Sequence, residues 1–338
     1  MQDDIERDPV RRSRRAVSVP GLFLVTALVI VTFPFAFAAA VLTDLAGRGR
    51  RRHRRILVFA TEGLLIECGG VLATVGLWLA AGFGTRIHGP TAQRWHHKLQ
   101  LWWVRRLAEA ARRHLGLQFE ITGDMVPTGR IIVLCRHACI ADALLPAMLY
   151  GLLEDRPLHY VLKRDLQWGP CLDIVGNRLP NLFVDRSVRR RSQRRAITDL
   201  AEAMADDGAL ILFPEGTFPT PDRVDKARRR LLQADPERAE RLRSLGHVLP
   251  PHPGGALAAM AGAPEADVHV VRHVGLEDAA TLRALYRRVP FDEPMRVDVH
   301  PIRRIDIPGD PSQQVEWLDE QWLQLDRWVD EVGSQRHG

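Results

Sequence analysis

Lysine is nearly missing from this chain: Lys98, Lys163 and Lys226 are the only three among 47 basic residues. So deep an arginine bias belongs to the whole composition, and runs of arginine therefore weigh less than usual as a sign of nucleic-acid binding. Cysteine is also scarce. Cys68, Cys135, Cys139 and Cys171 show no CxxC spacing, which excludes a secreted disulfide framework and argues against structural zinc. Reduced thiols fit a cytosol-facing compartment. Aromatic residues are 7%, so a stacked aromatic platform for carbohydrate is not favoured. There is no internal repeat and no low-complexity tract beyond the arginine clusters.

What is present is a core-forming chain. Hydrophobic residues are 46% and charged residues 26% of 338, a balance that excludes global disorder. The length fits two domains. A net charge of +6 favours anionic partners such as phospholipid, nucleotide or nucleic acid.

The apolar residues are unevenly placed. Residues 16–43 contain no charge, more than the roughly 20 residues a bilayer-spanning helix needs. The run GRGRRRHRR follows at 47–55, then a second apolar stretch from Ile56 to about Thr85, interrupted by Glu62 and Glu67. A membrane hairpin of two helices is the natural reading. AFA at 36–38 resembles a signal cleavage site, but the apolar run is too long for a signal peptide and a second one follows it at once. Arginine flanks the N-terminus, the inter-helix loop and the segment after the second helix, so the charge rule leaves two topologies open. Two full spans put the loop on the far side; a shallow hairpin keeps all three basic regions on one leaflet. Glu62 and Glu67 are expected near the interface, paired with Arg51 to Arg55. Residues 91–117 place Trp95, Leu99, Trp102, Trp103 and Leu107 near helical spacing, which fits an interfacial amphipathic helix or a core-facing surface helix.

From 118 onward the pattern alternates. Strands are expected at 118–122, 130–135, 159–163, 181–185, 209–213, 267–271 and 295–300, helices near 141–153, 187–205 and 222–244, and an amphipathic closing helix at 315–332. This is α/β patterning: a mostly parallel central sheet flanked by helices, preceded by an N-terminal membrane helical hairpin. The division expected is a membrane-anchoring segment over 1–90 and a second domain over 91–338.

Three stretches carry chemistry. At the end of the strand RIIVLC stands Arg136-His137-Ala-Cys139-Ile-Ala-Asp142, where open α/β sheets place ligands. Five helical residues rotate by about 500°, so His137 has to precede the helix and fold back over Asp142 in its first turn. Asp142 then fixes the imidazole tautomer and leaves the other nitrogen basic, as a general base requires. The plain alternative is a capping Asp beside a satisfied strand-end His. The second stretch is Phe213-Pro214-Glu215-Gly216-Thr217, where Pro214 ends a strand and Gly216 permits close backbone approach; on its own it is an ordinary turn. The third, Phe183-Val184-Asp185-Arg186, ends a strand with an arginine able to grip phosphate or to form a surface salt bridge.

Taken in order, RHACIAD (136–142), FVDR (183–186) and EGTF (215–218) resemble the NHxxxxD, FIDR and EGTR motifs of the glycerolipid and lysophospholipid acyltransferases, the 1-acylglycerol-3-phosphate acyltransferases in particular. HVLPPHPGGALAAM (247–260) is similar to a further stretch of the lysocardiolipin-type branch, as is MRVDVHPIRRIDIP (295–308). The resemblance covers roughly 95–310. It implies that His137, oriented by Asp142, deprotonates an acceptor hydroxyl for attack on an acyl thioester. It further implies that Glu215, Gly216 and Thr217 position the acceptor and that Arg186 binds its phosphate. Lys163, in YVLKR, is a further candidate for the same cleft. Backbone amides at a helix start would stabilise the oxyanion. No metal and no cofactor are expected; acyl-CoA or acyl-carrier protein is the co-substrate. The partners are membrane phospholipid and lysophospholipid, the product is phosphatidic acid, and the place is the cell membrane with the catalytic domain facing the cytoplasm.

Three residues depart from the family pattern. Phe218 stands for the arginine after EGT, with Arg223 and Lys226 as nearby substitutes. Arg136 replaces the asparagine before the histidine, and Cys139 the usual serine, which raises a thiol nucleophile as an alternative. The acceptor headgroup is thereby left open between 1-acylglycerol-3-phosphate and another lysophospholipid or glycolipid, and a non-catalytic lipid-binding protein of the same fold is the rival of another class. His269 and His273 show no carboxylate at ligand spacing and are read as satisfied strand histidines. Arg189, Arg190, Arg191, Arg194 and Arg195 lack the aromatic interleaving of a nucleic-acid site, so no nucleic acid is expected.

Overall fold

The computed structural model describes residues 9–47, 51–123, 129–185, 190–277 and 282–334. The chain divides into two compact units. One comprises 1–117, 162–183 and 289–291, the other 118–161, 184–288 and 292–338.

The first unit is helical. Helix α1 (Pro9–Ala46) and helix α2 (Arg52–Ala80) form the hairpin, and both are long and apolar enough to cross a membrane. Leu24, Leu28, Val31, Phe35 and Leu42 of α1 are exposed, a surface that suits lipid rather than water. Helix α3 (Pro90–Ala110) packs along α2, and helix α4 (Pro170–Arg178) joins them. The polar contacts sit at intervals along this assembly. Arg14 and Arg15 both reach the buried carboxylate of Asp173, at 2.7 and 2.6 Å. Asp44 receives His53 and Arg54 across the hairpin turn.

Glu62 and Glu67 do not pair with Arg51 to Arg55 as expected. Glu62 takes Arg113 and His114 at 2.6 and 2.7 Å, while Glu67 takes the Trp103 indole and the Cys171 amide, each at 3.2 Å. A helix rises 1.5 Å per residue, so Glu62 lies about 10 Å along α2 from Arg55, beyond direct pairing, and the neighbouring helix supplies the partner instead. Along α3 the buried residues are Ala92, His96, Leu99, Leu101, Val104 and Ala110, whereas Trp95 and Trp102 stay exposed.

The chain's sheet has the strands β1 (Phe119–Gly123), β2 (Ile131–Cys135), β3 (Leu158–Lys163), β4 (Leu182–Val184), β5 (Ala209–Leu212), β6 (Asp267–Val274) and β7 (Met295–Ile302). All seven lie where the sequence places them. The order is β1-β7-β6-β2-β5-β3-β4. Strands β6, β2, β5 and β3 run parallel, and β7 turns back antiparallel to β6 while running parallel to β1. Every residue of β2 and β5 is buried, as expected of central parallel strands with both faces covered.

Helix α5 (Arg190–Glu202) packs on helix α8 (Pro253–Gly262), which also touches β2 and β5. The expected helix at 222–244 is two helices, α6 (Pro221–Ala234) and α7 (Pro236–Arg241), because Asp235 ends one and caps the next, accepting from the Arg238 amide. A short helix α9 (Leu282–Arg288) precedes β7, and the closing helix α10 (Pro311–Ser334) buries Trp317, Leu318, Trp322, Leu325 and Val329. Over 141–153 the backbone forms a 3-10 turn (Ile140–Leu144) and a wider π turn (Ala147–Leu153) around Pro146 rather than one α-helix.

The α5–α8 contact depends on Gly262. A Cβ there would run into the Thr198 carbonyl oxygen and stand 2.8 Å from the Ala201 Cβ. Gly262→Ala is expected to destabilise the protein by about 1–3 kcal/mol through overpacking, read as a lowered midpoint of thermal unfolding in detergent. An unchanged midpoint would show that the helices separate freely.

Candidate active site

Strand β2 delivers the first residues of the site. It ends at Cys135, and the Arg136 amide still donates to Val271 of β6 at 2.9 Å. The chain then leaves the sheet, and Cys139, extended at φ −153° and ψ 178°, caps the 3-10 turn in which Asp142 is the third residue. His137 therefore precedes the helical turn and Asp142 lies inside it, as the spacing predicts. The His137 Nδ1 stands 3.5 Å from Asp142 Oδ2, with the histidine side chain 14% exposed and the aspartate fully buried. The rings of Phe213 and Phe218 hold the imidazole, with centroids 5.0 and 5.6 Å away.

Asp142 is satisfied from several sides. Its Oδ2 accepts the Ala138 and Cys139 amides at 2.5 and 2.6 Å, and its Oδ1 accepts the Cys139 thiol at 3.3 Å. Burial alone would push its carboxyl up; the facing His273 and His137 and the Cys139 amide instead hold it below the usual carboxylate range. Asp142 is thus a charged group in a dry place. The amides of residues 138 and 139 are occupied by this carboxylate, so the helix start does not present them as the expected oxyanion donors.

Cys139 is 2% exposed, and burial together with Asp142 pushes its thiol well above the ordinary range. A thiolate nucleophile needs the opposite environment. All four cysteines are free and buried.

Strand β5 delivers the second group. Glu215 is 1% exposed, and its two oxygens accept the amides of His137 and Leu249, each at 2.9 Å. It braces the backbone of the loop after β2, with both oxygens taken. Burial pushes its carboxyl from 4.5 up to about 7. Gly216 turns at φ +67°, and a Cβ there would press on the His252 ring at 3.4 Å. Thr217 follows, half-buried. Phe218 edges onto His137, and Arg223 lies on it, its guanidinium 4.4 Å from the ring centroid and donating to the Phe218 carbonyl at 3.1 Å. Lys163 is the last residue of β3. Arg186 and Arg189 lie outside the described residues, as does the side chain of Arg190.

Several further residues shape this site. Arg136 is completely buried; its guanidinium donates to Glu277 at 2.6 Å, to the His247 carbonyl at 3.3 Å and to the His273 carbonyl. It ties the end of β2 to the end of β6 and to the loop before α8. That loop is pinned further by α10. Asp326 accepts the amides of Gly246, His247 and Val248, while Arg238, paired with the buried Asp319 at 2.7 Å, holds the Pro251 carbonyl. The HVLPPHPGG stretch is thereby a fixed wall supporting Glu215. Among the described residues no cluster of metal-ligating side chains occurs.

The comparisons bear on this geometry. Residues 118–272 match the model of the Acyltransferase family. This stretch belongs to that family. The resemblance carried by RHACIAD and EGTF is borne out over it, and both motifs meet at the ends of the neighbouring strands β2 and β5. The chain is 23% identical over 120 residues to a lyso-ornithine lipid O-acyltransferase of Rhizobium meliloti (strain 1021), a match spanning 36% of this chain and 39% of that protein. The crystal structure of the 1-acyl-sn-glycerophosphate (LPA) acyltransferase PlsC from Thermotoga maritima aligns with 80% of this chain and 97% of its own, with a TM-score of 0.43 and 16% identity.

Glu215 gives the domain a pH signature. The unfolded chain titrates this carboxyl near 4.5 and the folded chain near 7, so the folded state holds the extra proton between these values. Its contribution to stability is full below about pH 4.5 and is lost as pH rises through 7, on the order of 3 kcal/mol. Glu215→Gln is expected to flatten the fall of the unfolding midpoint between pH 5 and 8, and to lower it throughout because the amide cannot accept from both backbone groups. A variant with the parent's pH slope would rule this out.

Proposed function

We propose that the protein is an O-acyltransferase that moves a fatty acyl group from an acyl thioester, acyl-CoA or acyl-carrier protein, to the free hydroxyl of a lysolipid. The observation that carries the reading is the half-buried His137 at the end of β2 with the charged, fully buried Asp142 behind its Nδ1. With the Nδ1 proton directed at Asp142, the Nε2 lone pair takes the proton of the acceptor hydroxyl. The oxygen attacks the thioester carbonyl, the tetrahedral intermediate collapses with breakage of the C–S bond, and the leaving thiolate takes the proton back from the imidazolium. Glu215 keeps the His137 backbone in place during this cycle. Gly216 and Thr217, together with Lys163 and Arg186, are assigned to the acceptor side. The protein is assigned to the cell membrane, with its catalytic domain facing the cytoplasm.

The test is thiol release from palmitoyl-CoA or oleoyl-CoA by the detergent-purified protein, with and without lysophosphatidic acid. Acceptor-dependent release is expected, and His137→Ala should lower it by about 10²–10⁴-fold. Absence of release from either CoA or acyl-carrier-protein donors, across several lysolipid acceptors, would sink the enzyme reading and leave a lipid-binding protein of the same fold.

For the acceptor, 1-acylglycerol-3-phosphate, giving phosphatidic acid, is the first assignment. Phe218 favours a second, because an aromatic ring stands where the family's arginine would meet a phosphate. The curated relative acts on a lyso-ornithine lipid, whose amino-acid headgroup is carboxylate-bearing rather than phosphate-bearing. Arg223, seated on Phe218 and exposed, is the cation assigned to either anion. Arg223→Ala is expected to raise KM for the preferred lysolipid about tenfold, the worth of one charge-assisted hydrogen bond, with KM for the thioester unchanged. Comparing lysophosphatidic acid with lyso-ornithine lipid in this assay identifies the headgroup; equal KM values for variant and parent with both would remove Arg223 from the site.

A further inference from the structure

One buried titratable group beside the site is left without a role. His273, on β6, is completely buried. The β2–β6 register sets Cys135 opposite Val271, and His273 lies two residues beyond this last pair. Strand β6 outlasts β2 at this end, so the His273 ring fills the space under the loop into which β2 dissolves. Its Nε2 is 3.2 Å from the Arg136 carbonyl oxygen and 3.7 Å from Asp142 Oδ2, the same oxygen that faces His137 Nδ1. Its Nδ1 is buried and has no hydrogen-bond partner among the described residues.

These facts fix the tautomer. Protonated at Nδ1, His273 would bury an unsatisfied donor and turn a lone pair toward a carbonyl and a carboxylate, an arrangement costly on both counts. The proton of the neutral ring therefore sits on Nε2, and burial holds the imidazole below its ordinary range. The ring is then a fixed donor that aims one N–H between the peptide oxygen preceding His137 and the carboxylate serving His137.

We propose that His273 is a positioning residue for the His137–Asp142 pair: its Nε2–H holds the Arg136 carbonyl, and with it the plane of the peptide that carries His137, while facing Asp142 Oδ2 so that this oxygen stays in place behind the His137 ring. The inference rests on the reading of His137 as the general base. It adds a third member contributed by a separate strand, one that touches neither substrate nor reacting atoms. The charged and titratable groups around the pair are Asp142 and Cys139 from the turn after β2, Glu215 from the end of β5, and Arg136 and Glu277, which close the far side of His273. Arg223 stands beyond Phe218. With His273 withdrawn, Asp142 loses the N–H dipole that faces it at 3.7 Å and directs more of its charge at His137, so the imidazolium becomes easier to form.

The experiment compares His273→Gln with His273→Asn in the full-length protein. A glutamine amide extends as far as Nε2 and restores a donor at that point; an asparagine amide stops near Nδ1 and does not. His273→Asn is expected to lower kcat about tenfold or more, as small displacements of a base do, with KM for the thioester within twofold of the parent. It should also move the acid limb of the kcat profile to higher pH. His273→Gln is expected to stay within about threefold of the parent and to keep the acid limb. A second readout needs no turnover: the pH dependence of His137 modification by diethyl pyrocarbonate, followed by peptide mass spectrometry. Its midpoint should rise in His273→Asn and stay in His273→Gln. If the parent releases no thiol, the functional reading fails while this chemical titration still judges His273. Equal loss in both variants with unmoved midpoints would make the residue a packing element only, and an Asn variant like the parent in rate and midpoint would also overturn the proposal. If the Asn variant does not fold, the Gln variant decides by itself: a folded Gln protein with a displaced midpoint overturns it, and one with the parent's midpoint and rate upholds it.

Discussion

The site depends on one requirement: a carboxylate buried at the end of an apolar sheet has to be satisfied where it stands. Every residue of β2 is buried, and Asp142 follows it fully enclosed. An isolated charge in such a place costs far more than a domain's net stability. The chain answers with local donors. The amides of Ala138 and Cys139 converge on one oxygen and the Cys139 thiol on the other. Because those amides belong to the link between His137 and the turn, satisfying the charge and fixing the position of His137 are one event. Glu215 repeats the device from β5, accepting the amides of His137 and Leu249. Two buried carboxylates, one ahead of the histidine in the chain and one beneath it, leave its backbone little freedom.

Much of this was legible in the sequence, and the reason is periodic. β-Rich runs bounded by turn residues mark all seven strands, and a strand end followed by a histidine with an aspartate five residues on has few geometric solutions. The site residues His137, Asp142 and Glu215 all follow from where two such strands end. What stayed hidden was the content of the polar contacts. Glu215 looked like a group facing a ligand, and it is turned inward to two amides. His273 was set aside for lack of a carboxylate at ligand spacing in the chain. Its carboxylate neighbour, Asp142, comes from another strand's end, and linear spacing is blind to that.

Helix α8 escaped for a different reason. PGGALAAMAG shows no polar face because it is packed on several sides, and its glycine serves the close approach to α5. A helix with no amphipathic alternation gives periodicity nothing to detect. The helix expected over 141–153 was real in position but not in form. Cys139 and Asp142 cap it as a tight 3-10 turn and it widens to a π turn after Pro146, so the demands of the buried carboxylate override helical propensity. In the first unit, the glutamates of the second apolar segment were assigned to the nearest arginines along the chain, whereas a neighbouring helix supplies their partners.

Arg136 shows how a departure from a family pattern is absorbed by its surroundings. A guanidinium with 0% exposure demands several acceptors in fixed directions, because removing one partner of a buried charge is strongly destabilising. Glu277 supplies the counter-charge, and the carbonyls of His247 and His273 accept two further bonds. The His247 carbonyl can do so only because its loop is held from the other side, where Asp326 of α10 collects three consecutive amides and the Asp319–Arg238 pair fixes the Pro251 carbonyl. The closing helix, which the sequence marks only as amphipathic, thus reaches the site through a chain of buried charges: α10 to the 246–251 loop, that loop to Arg136 and Glu215, and these to His137. Each link is a charged group with acceptors or donors at fixed angles, and such groups resist displacement more steeply than apolar packing does. Precision at the histidine is built from distant parts of the chain, and the local motif is the end of that construction.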